Sequence, residues 1–177
     1  MDYYKGDAYI DYARKDDIRY WKFLIDLVLS YKKGGRILDV GCAYGYFLKY
    51  LSYLFDKYGA DIRDTGFIKL DIEKDILPMK FDVITCFGVL RHLDKPKQAI
   101  ENMLSMLENN GVLFIRTSYD CLYNRLISRF DKDKTHRELP DKNLFSGWRE
   151  VKDPLNFIWK GNASRIPRYK CSTFIKG

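Results

Sequence analysis

One segment, residues 37–48, constrains the fold of this chain more than any other. It reads Ile-Leu-Asp-Val-Gly-Cys-Ala-Tyr-Gly-Tyr-Phe-Leu. Four residues suited to a buried strand lead into a turn bracketed by Gly41 and Gly45, and an apolar helical pattern begins at Tyr46. In an open α/β sheet such a turn lies at the carboxyl end of a strand, where ligands bind. The sequence therefore predicts a ligand site whose backbone N–H groups and positive helix end favour anionic or hydroxylated groups.

The glycine spacing of this turn argues against a dinucleotide site. The fingerprint G-x-G-x-x-G would place glycines at positions 41, 43 and 46. The chain has Gly41, Ala43 and Tyr46 at those positions. A tyrosine at the third position would crowd the helix against the strand, so NAD and FAD are disfavoured.

The turn and the segments after it resemble one family. The pattern Asp39-x-Gly41-x-x-x-Gly45 resembles motif I of the class I S-adenosylmethionine-dependent methyltransferases, in the broad type-11-like group. Later segments are similar to that family and follow its order: Leu70-Asp71-Ile72-Glu73, a strand and rim at 81–93, a helix at 96–107, a stop at Asn109-Asn110-Gly111 and a strand at 112–117. The resemblance spans residues 37–117, roughly half of the chain.

This resemblance implies an α/β, Rossmann-like fold with a mostly parallel sheet and helices on both faces. Apolar periodicity predicts helices at 18–28 and 46–58, and two final strands at 155–159 and 170–175 fit a C-terminal antiparallel pair. The scaffold is trimmed, because a parallel crossover needs about a dozen residues and residues 61–66 cannot supply one. Either the second strand has lost its helix, or the sheet lacks a regular second strand.

The resemblance also implies S-adenosylmethionine as the cofactor and assigns residues to it. The turn and its strand would supply Asp39, Gly41, Cys42, Ala43, Gly45 and Tyr46. A carboxylate about 20 residues beyond the turn is needed for the ribose hydroxyls. Asp61 has this spacing from Gly41 and Asp64 is the alternative. Asp71 and Ile72 stand where the family lines the adenine, and Phe87 stands where its backbone passes the sulfonium. Asp71 could instead cap the turn that follows it.

Methyl transfer from a sulfonium requires alignment of acceptor, methyl group and sulfur, and sometimes a general base. No metal ligand or nucleophile is needed. Histidine is the side chain suited to proton transfer near neutral pH, and the chain has only His92 and His136. His92 follows the fourth strand, and Asp-Lys-Thr-His136 resembles a segment found near the acceptor pocket of many relatives. Both are candidate catalytic residues, and a structural role is the alternative for each.

The chain is predicted to form a single domain, 1–177. Its parts are an N-terminal lid and helix (1–33), a cofactor-binding core (34–117) and a basic acceptor-side region (118–177). Cys42, Cys86, Cys121 and Cys171 form no C-x-x-C pair, which disfavours zinc and disulfides and predicts a reducing cytoplasm. No apolar run approaches the ~20 residues of a membrane helix.

Charge is concentrated in the last third of the chain. Residues 123–177 hold 13 Lys+Arg against 6 Asp+Glu, whereas residues 1–122 hold 18 of each, so this third accounts for the net charge of +7. Aromatic residues are interleaved with these cations: Phe130, Phe145, Trp148, Phe157, Trp159 and Tyr169. An acidic partner is predicted, and the acceptor is either RNA or a small molecule. A solvated basic surface over ordinary core aromatics is the alternative.

Two functions therefore compete. The first is an enzyme that methylates an oxygen or nitrogen atom of an unidentified acceptor. The second is a basic nucleic-acid-binding or regulatory protein on a degenerate methyltransferase fold.

Overall fold

Seven strands form one sheet in the computed structural model, which describes residues 18–122, 124–125, 139–152 and 171–177. The strands are β1 Gly35–Val40, β2 Phe55–Asp61, β3 Ile68–Lys69, β4 Phe81–Phe87, β5 Leu107–Ser118, β6 Arg149–Lys152 and β7 Cys171–Lys176. The α-helices are α1 Ile18–Tyr31, α2 Tyr46–Tyr50 and α3 Pro96–Ser105, and two 3₁₀ turns span Leu90–His92 and Lys142–Phe145.

The strand order is β3-β2-β1-β4-β5-β7-β6. Strands β1 to β5 run parallel to their neighbours, and β7 runs antiparallel to both β5 and β6. The predicted fold is therefore confirmed: a mostly parallel sheet that closes with antiparallel strands. From β1 the chain continues to β2 on one side, whereas β4 pairs on the other side. The carboxyl end of β1 thus lies at the topological switch point, where ligands bind in such sheets.

Helices cover both faces of the sheet. Successive residues of each strand point to opposite sides, so both faces carry apolar side chains that have to be covered. On one face, Leu38 and Ile84 pack in a core cluster with Met103 of α3. On the other face, Ile37 packs in a second cluster that contains residues of α1 and α2, including Val28. The predicted helix near the N-terminus is confirmed as α1, and residues 1–17, with the predicted lid, lie outside the described residues.

The helix predicted at 46–58 is wrong over its second half. Helix α2 ends at Tyr50, Leu51 is already extended, and β2 begins at Phe55. The apolar periodicity did not mark one helical face, since Leu54 is 57% exposed while Phe55 is buried against the second core cluster. A regular second strand therefore exists, and its residues from Phe55 to Ala60 pair with β1.

The predicted loss of the helix between β2 and β3 is confirmed. Only residues 62–67 connect these two parallel strands, and none of them is helical. So short a connection suffices because β3 pairs only with Ala60 and Asp61, the last two residues of β2. The chain therefore has to return by about two residues, or roughly 7 Å, instead of a full strand length.

Two other predictions are corrected or only partly described. Helix α3 ends at Ser105 and β5 starts at Leu107, so Gly111 lies inside a strand and is not the left-handed residue after a helix. The predicted strand at 170–175 is β7, and its described hairpin partner is β6. The strand predicted at 155–159 lies outside the described residues. Among the described residues, no helix combines the length and apolarity that crossing a bilayer requires.

Candidate functional site

The turn after β1 has the backbone that its glycines predict. Gly41, Ala43 and Gly45 have positive φ angles of 74°, 48° and 72°. Glycine adopts this region without strain, whereas a residue with a Cβ does so at a cost of about 1 kcal/mol. Ala43 is the one described non-glycine residue with a positive φ. The N–H of Ala43 donates to the Asp61 carboxylate at the end of β2.

Most amides of this turn have acceptors within the protein. The N–H groups of Gly41 and Cys42 both donate to the carbonyl of Ala60, at 2.7 and 3.1 Å. The N–H of Gly45 donates to the carbonyl of Cys42 at 2.8 Å. The first two bonds fix the turn to β2, and the third lies within the turn. The sequence predicted that the turn would offer its N–H groups to a ligand, and these three groups are instead bonded inside the protein. Helix α2 is also only five residues long, so it adds little dipole.

Asp61 lies at the carboxyl end of β2, beside this turn. One carboxylate oxygen accepts the Ala43 N–H at 2.9 Å and the Nη2 of Arg63 at 3.4 Å. The other oxygen accepts the backbone N–H and the Nε of Arg63, both at 3.0 Å. The carboxylate is nearly fully buried, with 6% of its side chain exposed. It holds the turn in place and is paired with a cation of the connection that follows β2.

Asp39 lies one row below the turn and faces Thr85 across β1 and β4. The hydroxyl of Thr85 donates to its carboxyl at 2.7 Å. Burial raises the pKa of Asp39 to about 7, although the hydrogen bond from Thr85 lowers it and the Asp61 carboxylate raises it further. Asp39 therefore titrates near neutral pH beneath the turn. Asp39 is 4% exposed, so its carboxyl faces the protein interior.

A side chain from the rim after β4 covers Gly41. A Cβ added to Gly41 would lie 2.2 Å from Cγ2 of Val89. The ring of Phe67, in the β2–β3 connection, also covers the turn. A Cβ added to Gly45 would lie 2.5 Å from its Cζ, and a Cβ added to Gly59 would lie 2.6 Å from its Cδ1. The turn is thus closely packed by two side chains that can rotate.

This packing gives a prediction for stability. We expect Gly41→Ala to lower the free energy of unfolding by roughly 3 kcal/mol, because strain at φ 74° adds to overlap with Val89. Gly88→Ala is the matched control, since Gly88 has φ 78° but no atom within 4 Å of its added Cβ. It should cost about 1 kcal/mol. Urea denaturation measures both. Equal losses in the two variants, or no recovery on adding Val89→Ala to Gly41→Ala, would refute the contact.

The two residues predicted to line the adenine lie at the end of β3 and have internal contacts. Asp71 caps the turn that follows it, accepting the N–H of Glu73 at 3.2 Å and the Nζ of Lys74 at 2.5 Å. Ile72 is 4% exposed and belongs to the first core cluster. The structure thus gives Asp71 a capping role and Ile72 a packing role, and shows no open apolar wall formed by Ile72.

The remaining predicted site residues that the structure describes lie along the same edge of the sheet. Phe87 ends β4 and packs edge-on against Phe47, with ring centroids 5.2 Å apart. His92 closes the 3₁₀ turn after β4, and its N–H donates to the carbonyl of Val89 at 2.8 Å. Tyr46 begins α2, with its ring 6.5 Å from that of Tyr44. His136 lies outside the described residues.

The cysteines near the site are not activated nucleophiles. Burial raises the pKa of the Cys42 thiol well above its usual range, and the carboxylates of Asp39 and Asp61 add to this effect. Burial likewise raises the pKa of Cys86, with a further contribution from Asp39. Both side chains therefore remain thiols at neutral pH.

Of the aromatic residues of the basic region, Phe145 is a core residue and Trp148 is partly buried against the core. Phe145 is buried and stacks on Phe174 with ring centroids 3.9 Å apart, and Trp148 packs edge-on against Phe145 at 5.6 Å. Neither Phe145 nor its stacked partner offers a ring face to a nucleic acid base, which favours the core alternative for this position. The other aromatic residues predicted for stacking, Phe130, Phe157, Trp159 and Tyr169, lie outside the described residues.

Sequence reasoning missed three residues of this site: Arg63, Phe67 and Thr85. Thr85 had a detectable signal, because it is a hydroxyl in an otherwise apolar strand stretch and lies in register with Asp39. Arg63 and Phe67 had none, since both act from a connection whose path depends on the short β3. Arg63 bonds to the buried Asp61 carboxylate, Thr85 bonds to Asp39, and Phe67 covers Gly45 and Gly59.

Comparisons with known proteins point to one family. The family described as methyltransferase domain matches residues 12–152. The tRNA U34 carboxymethyltransferase of Campylobacter hominis is 29% identical over 143 residues, which cover 67% of this chain and 50% of that protein. The mitochondrial ubiquinone biosynthesis O-methyltransferase of Schizosaccharomyces pombe is 26% identical over 154 residues, which cover 73% and 55%. The chain spans about half the length of these curated relatives.

Solved structures share the fold. The N-methyltransferase NodS of Bradyrhizobium japonicum, in complex with S-adenosyl-L-homocysteine, aligns with a TM-score of 0.65 at 19% identity, over 91% of this chain and 86% of that one. An S-adenosylmethionine-dependent methyltransferase of Clostridium acetobutylicum aligns with a TM-score of 0.64 at 14% identity, over 97% of both chains. At these identities the two alignments show the fold alone.

Proposed function

Because the chain belongs to the class I S-adenosylmethionine-dependent methyltransferases, we propose that it transfers a methyl group from S-adenosylmethionine to an oxygen or nitrogen atom of an acceptor. One observation carries the proposal. The glycine turn and the Asp61 carboxylate meet at the switch point of the sheet, joined by the 2.9 Å hydrogen bond from Ala43. A nucleoside that presents its ribose hydroxyls to this carboxylate fits such a position.

The residues present fit the nucleoside end of this cofactor. Asp61 is a rigid, buried acceptor, which suits two ribose hydroxyls. Large apolar side chains flank it and are partly open to solvent: Tyr44, Ile62 and Phe67 are 37%, 48% and 39% exposed. A flat heterocycle could cover this apolar surface, and burying it would favour binding by about 25 cal/mol per Å². We propose that these side chains, with Asp71 at the end of β3, hold the adenosine.

When bound, the cofactor supplies an activated methyl group on a sulfonium. The protein's task is then to orient the acceptor and to exclude water. We propose that Phe87, at the carboxyl end of β4, bounds the reacting region. If the methyl acceptor has to lose a proton, His92 and His136 are the proposed general bases. The support for His92 is its place in the 3₁₀ turn that follows β4, at the same edge of the sheet as the glycine turn.

The acceptor is proposed to carry negative charge. The support is the excess of Lys and Arg over Asp and Glu in residues 123–177. One curated relative is named for tRNA and another for ubiquinone biosynthesis, so both RNA and a small molecule are proposed acceptor classes. We assign residues 118–177 to the acceptor side and residues 34–117 to the cofactor.

A second candidate function has one observation in its favour. The lone pairs of Asp61 and most N–H donors of the turn are bonded inside the protein, as is expected of a degenerate site. On that account the chain would be a basic nucleic-acid-binding or regulatory protein that has kept only the fold.

Binding of the cofactor product separates these two functions. We expect isothermal titration calorimetry to show S-adenosylhomocysteine and S-adenosylmethionine binding with a Kd of about 1 μM to 100 μM, and no binding of NAD as the control. The glycine spacing that disfavours dinucleotides is the reason for the control. The proposal is wrong if neither sulfur ligand binds while a single-stranded RNA binds with an affinity that falls steeply with salt.

We also propose a cytoplasmic location. Within the described part of the chain, Cys42, Cys86 and Cys121 are free thiols, and the first two are buried. Free thiols persist in a reducing compartment, which supports this location.

A further inference from the structure

The carboxylate of Asp61 has no spare acceptor position. An ionised carboxylate offers about four lone-pair sites. Four donors fill them here: the N–H groups of Ala43 and Arg63, and the Nε and Nη2 of the Arg63 guanidinium. A ribose that binds this carboxylate has to replace two of the four donors.

The four donors are not equally replaceable. The two backbone N–H groups are those of Ala43 in the turn and of Arg63. Breaking either bond would distort the main chain. The two side-chain donors come from one guanidinium on a long, rotatable stem. A ribose presents two adjacent hydroxyls, which match the guanidinium in the number of donors and in their side-by-side arrangement. The hydroxyl pair can therefore substitute for the guanidinium and leave the backbone bonds intact.

We propose that Arg63 is a latch on the cofactor site: its guanidinium holds the ribose-binding carboxylate, and cofactor binding requires that it leave. This inference rests on the proposed function and goes beyond it, because it makes Arg63 the residue that sets cofactor affinity. The ion pair is largely shielded from water, with 18% of the Arg63 side chain and 6% of that of Asp61 exposed. Opening it therefore carries a larger cost than opening a surface pair.

The connection that carries Arg63 leaves room for its release. It contains no regular structure between Asp61 and Ile68, and its neighbours Ile62 and Asp64 are exposed. Gly66 has no heavy atom within 4 Å of the position of a Cβ. We therefore assign the release to a rotation of the Arg63 side chain, with β2 and the turn left in place.

Calorimetry with S-adenosylhomocysteine tests the latch. We expect Arg63→Gln to bind this ligand about tenfold more tightly than the wild type, because glutamine cannot hold the carboxylate with a charged fork. Arg63→Lys should lie between the two, since an ammonium pairs as a point charge. Arg36→Gln is the control for loss of one positive charge. Arg36 is exposed at the amino end of β1, the opposite end of the sheet, so its Kd should equal that of the wild type.

Thermal unfolding gives the second readout. Without ligand, Arg63→Gln should melt several °C below the wild type, because Asp61 loses its charged partner. With saturating S-adenosylhomocysteine, the rise in Tm should be larger for Arg63→Gln than for the wild type. If Arg63→Gln does not fold, Arg63→Lys carries the test.

The outcomes separate the latch from the proposed function. If Arg63→Gln and Arg63→Lys bind the ligand as tightly as the wild type, or more weakly, the latch is rejected and the proposed function stands. If the wild type and every folded variant fail to bind, the proposed function fails and the latch fails with it.

Discussion

Replacing Asp61 with alanine is expected to weaken binding of S-adenosylhomocysteine at least about 100-fold, because the two charge-assisted hydrogen bonds to the ribose are each worth roughly 1.5–3 kcal/mol. The same change should lower the free energy of unfolding by roughly 3 kcal/mol. It leaves the Arg63 guanidinium largely buried without its carboxylate, and it removes the acceptor of the Ala43 N–H. Calorimetry and urea denaturation measure the two effects.

Asp64→Ala is the matched control, since Asp64 is the other carboxylate at this spacing and is exposed in the β2–β3 connection. It should change neither the affinity nor the stability by a measurable amount. If Asp64→Ala reduced the affinity while Asp61→Ala did not, the ribose would have been assigned to the wrong carboxylate. Performing the titration at a temperature where both variants are folded keeps the two readouts separate.

Replacing Asp39 with asparagine is expected to remove a pH dependence of stability. Burial raises the pKa of Asp39 to about 7 in the folded protein, above its ordinary value of 3.8. Between these values the folded protein holds a proton that the unfolded chain has released. Stability from this group is therefore complete below about pH 4 and is lost as the pH rises to about 7. At about 1.4 kcal/mol per pKa unit, the total loss is roughly 4 kcal/mol.

The expected measurement is the difference in unfolding free energy between Asp39→Asn and the wild type, from pH 4 to pH 8. Asparagine can still bond to Thr85, so the variant should be close to the wild type at pH 4 and more stable by a few kcal/mol at pH 8. Thr85→Val is the control: it removes the hydrogen bond that lowers the Asp39 pKa, and so should move the wild-type transition to higher pH. A difference that does not change with pH would refute the buried, titrating carboxyl.

The sequence was most informative where local pattern and tertiary position agree. The apolar strand before Gly41 and the two glycines of the turn predicted β1 and its turn. The mostly parallel sheet with an antiparallel end followed from the family resemblance. It misled at β2, Phe55–Asp61, which contains Asp56, Lys57 and Gly59 and has little intrinsic strand preference. The conformation of β2 depends on its pairing with β1. Such a contact between two segments cannot be predicted from the sequence of either segment alone.

The candidate site divides in the same way. Asp61 could be predicted because its distance from the glycine turn follows from one strand and one helix, even though the helix proved to be only five residues long. Its pairing with Arg63 could not, since the guanidinium reaches back only because the connection after β2 is short. The internal bonding of the turn amides was also hidden, because it depends on the position of the Ala60 carbonyl beside β1.

The central claim is that an adenosine binds where β1 ends, with its ribose on Asp61. A crystal structure of the protein with S-adenosylhomocysteine tests it most directly. We predict that both ribose hydroxyls lie within about 3.2 Å of the Asp61 carboxylate. The Arg63 guanidinium should have left that carboxylate, and the bond from Ala43 should remain. The account is contradicted if the ligand is bound at another place, or if Arg63 stays bonded to Asp61 at ligand concentrations that saturate binding in solution.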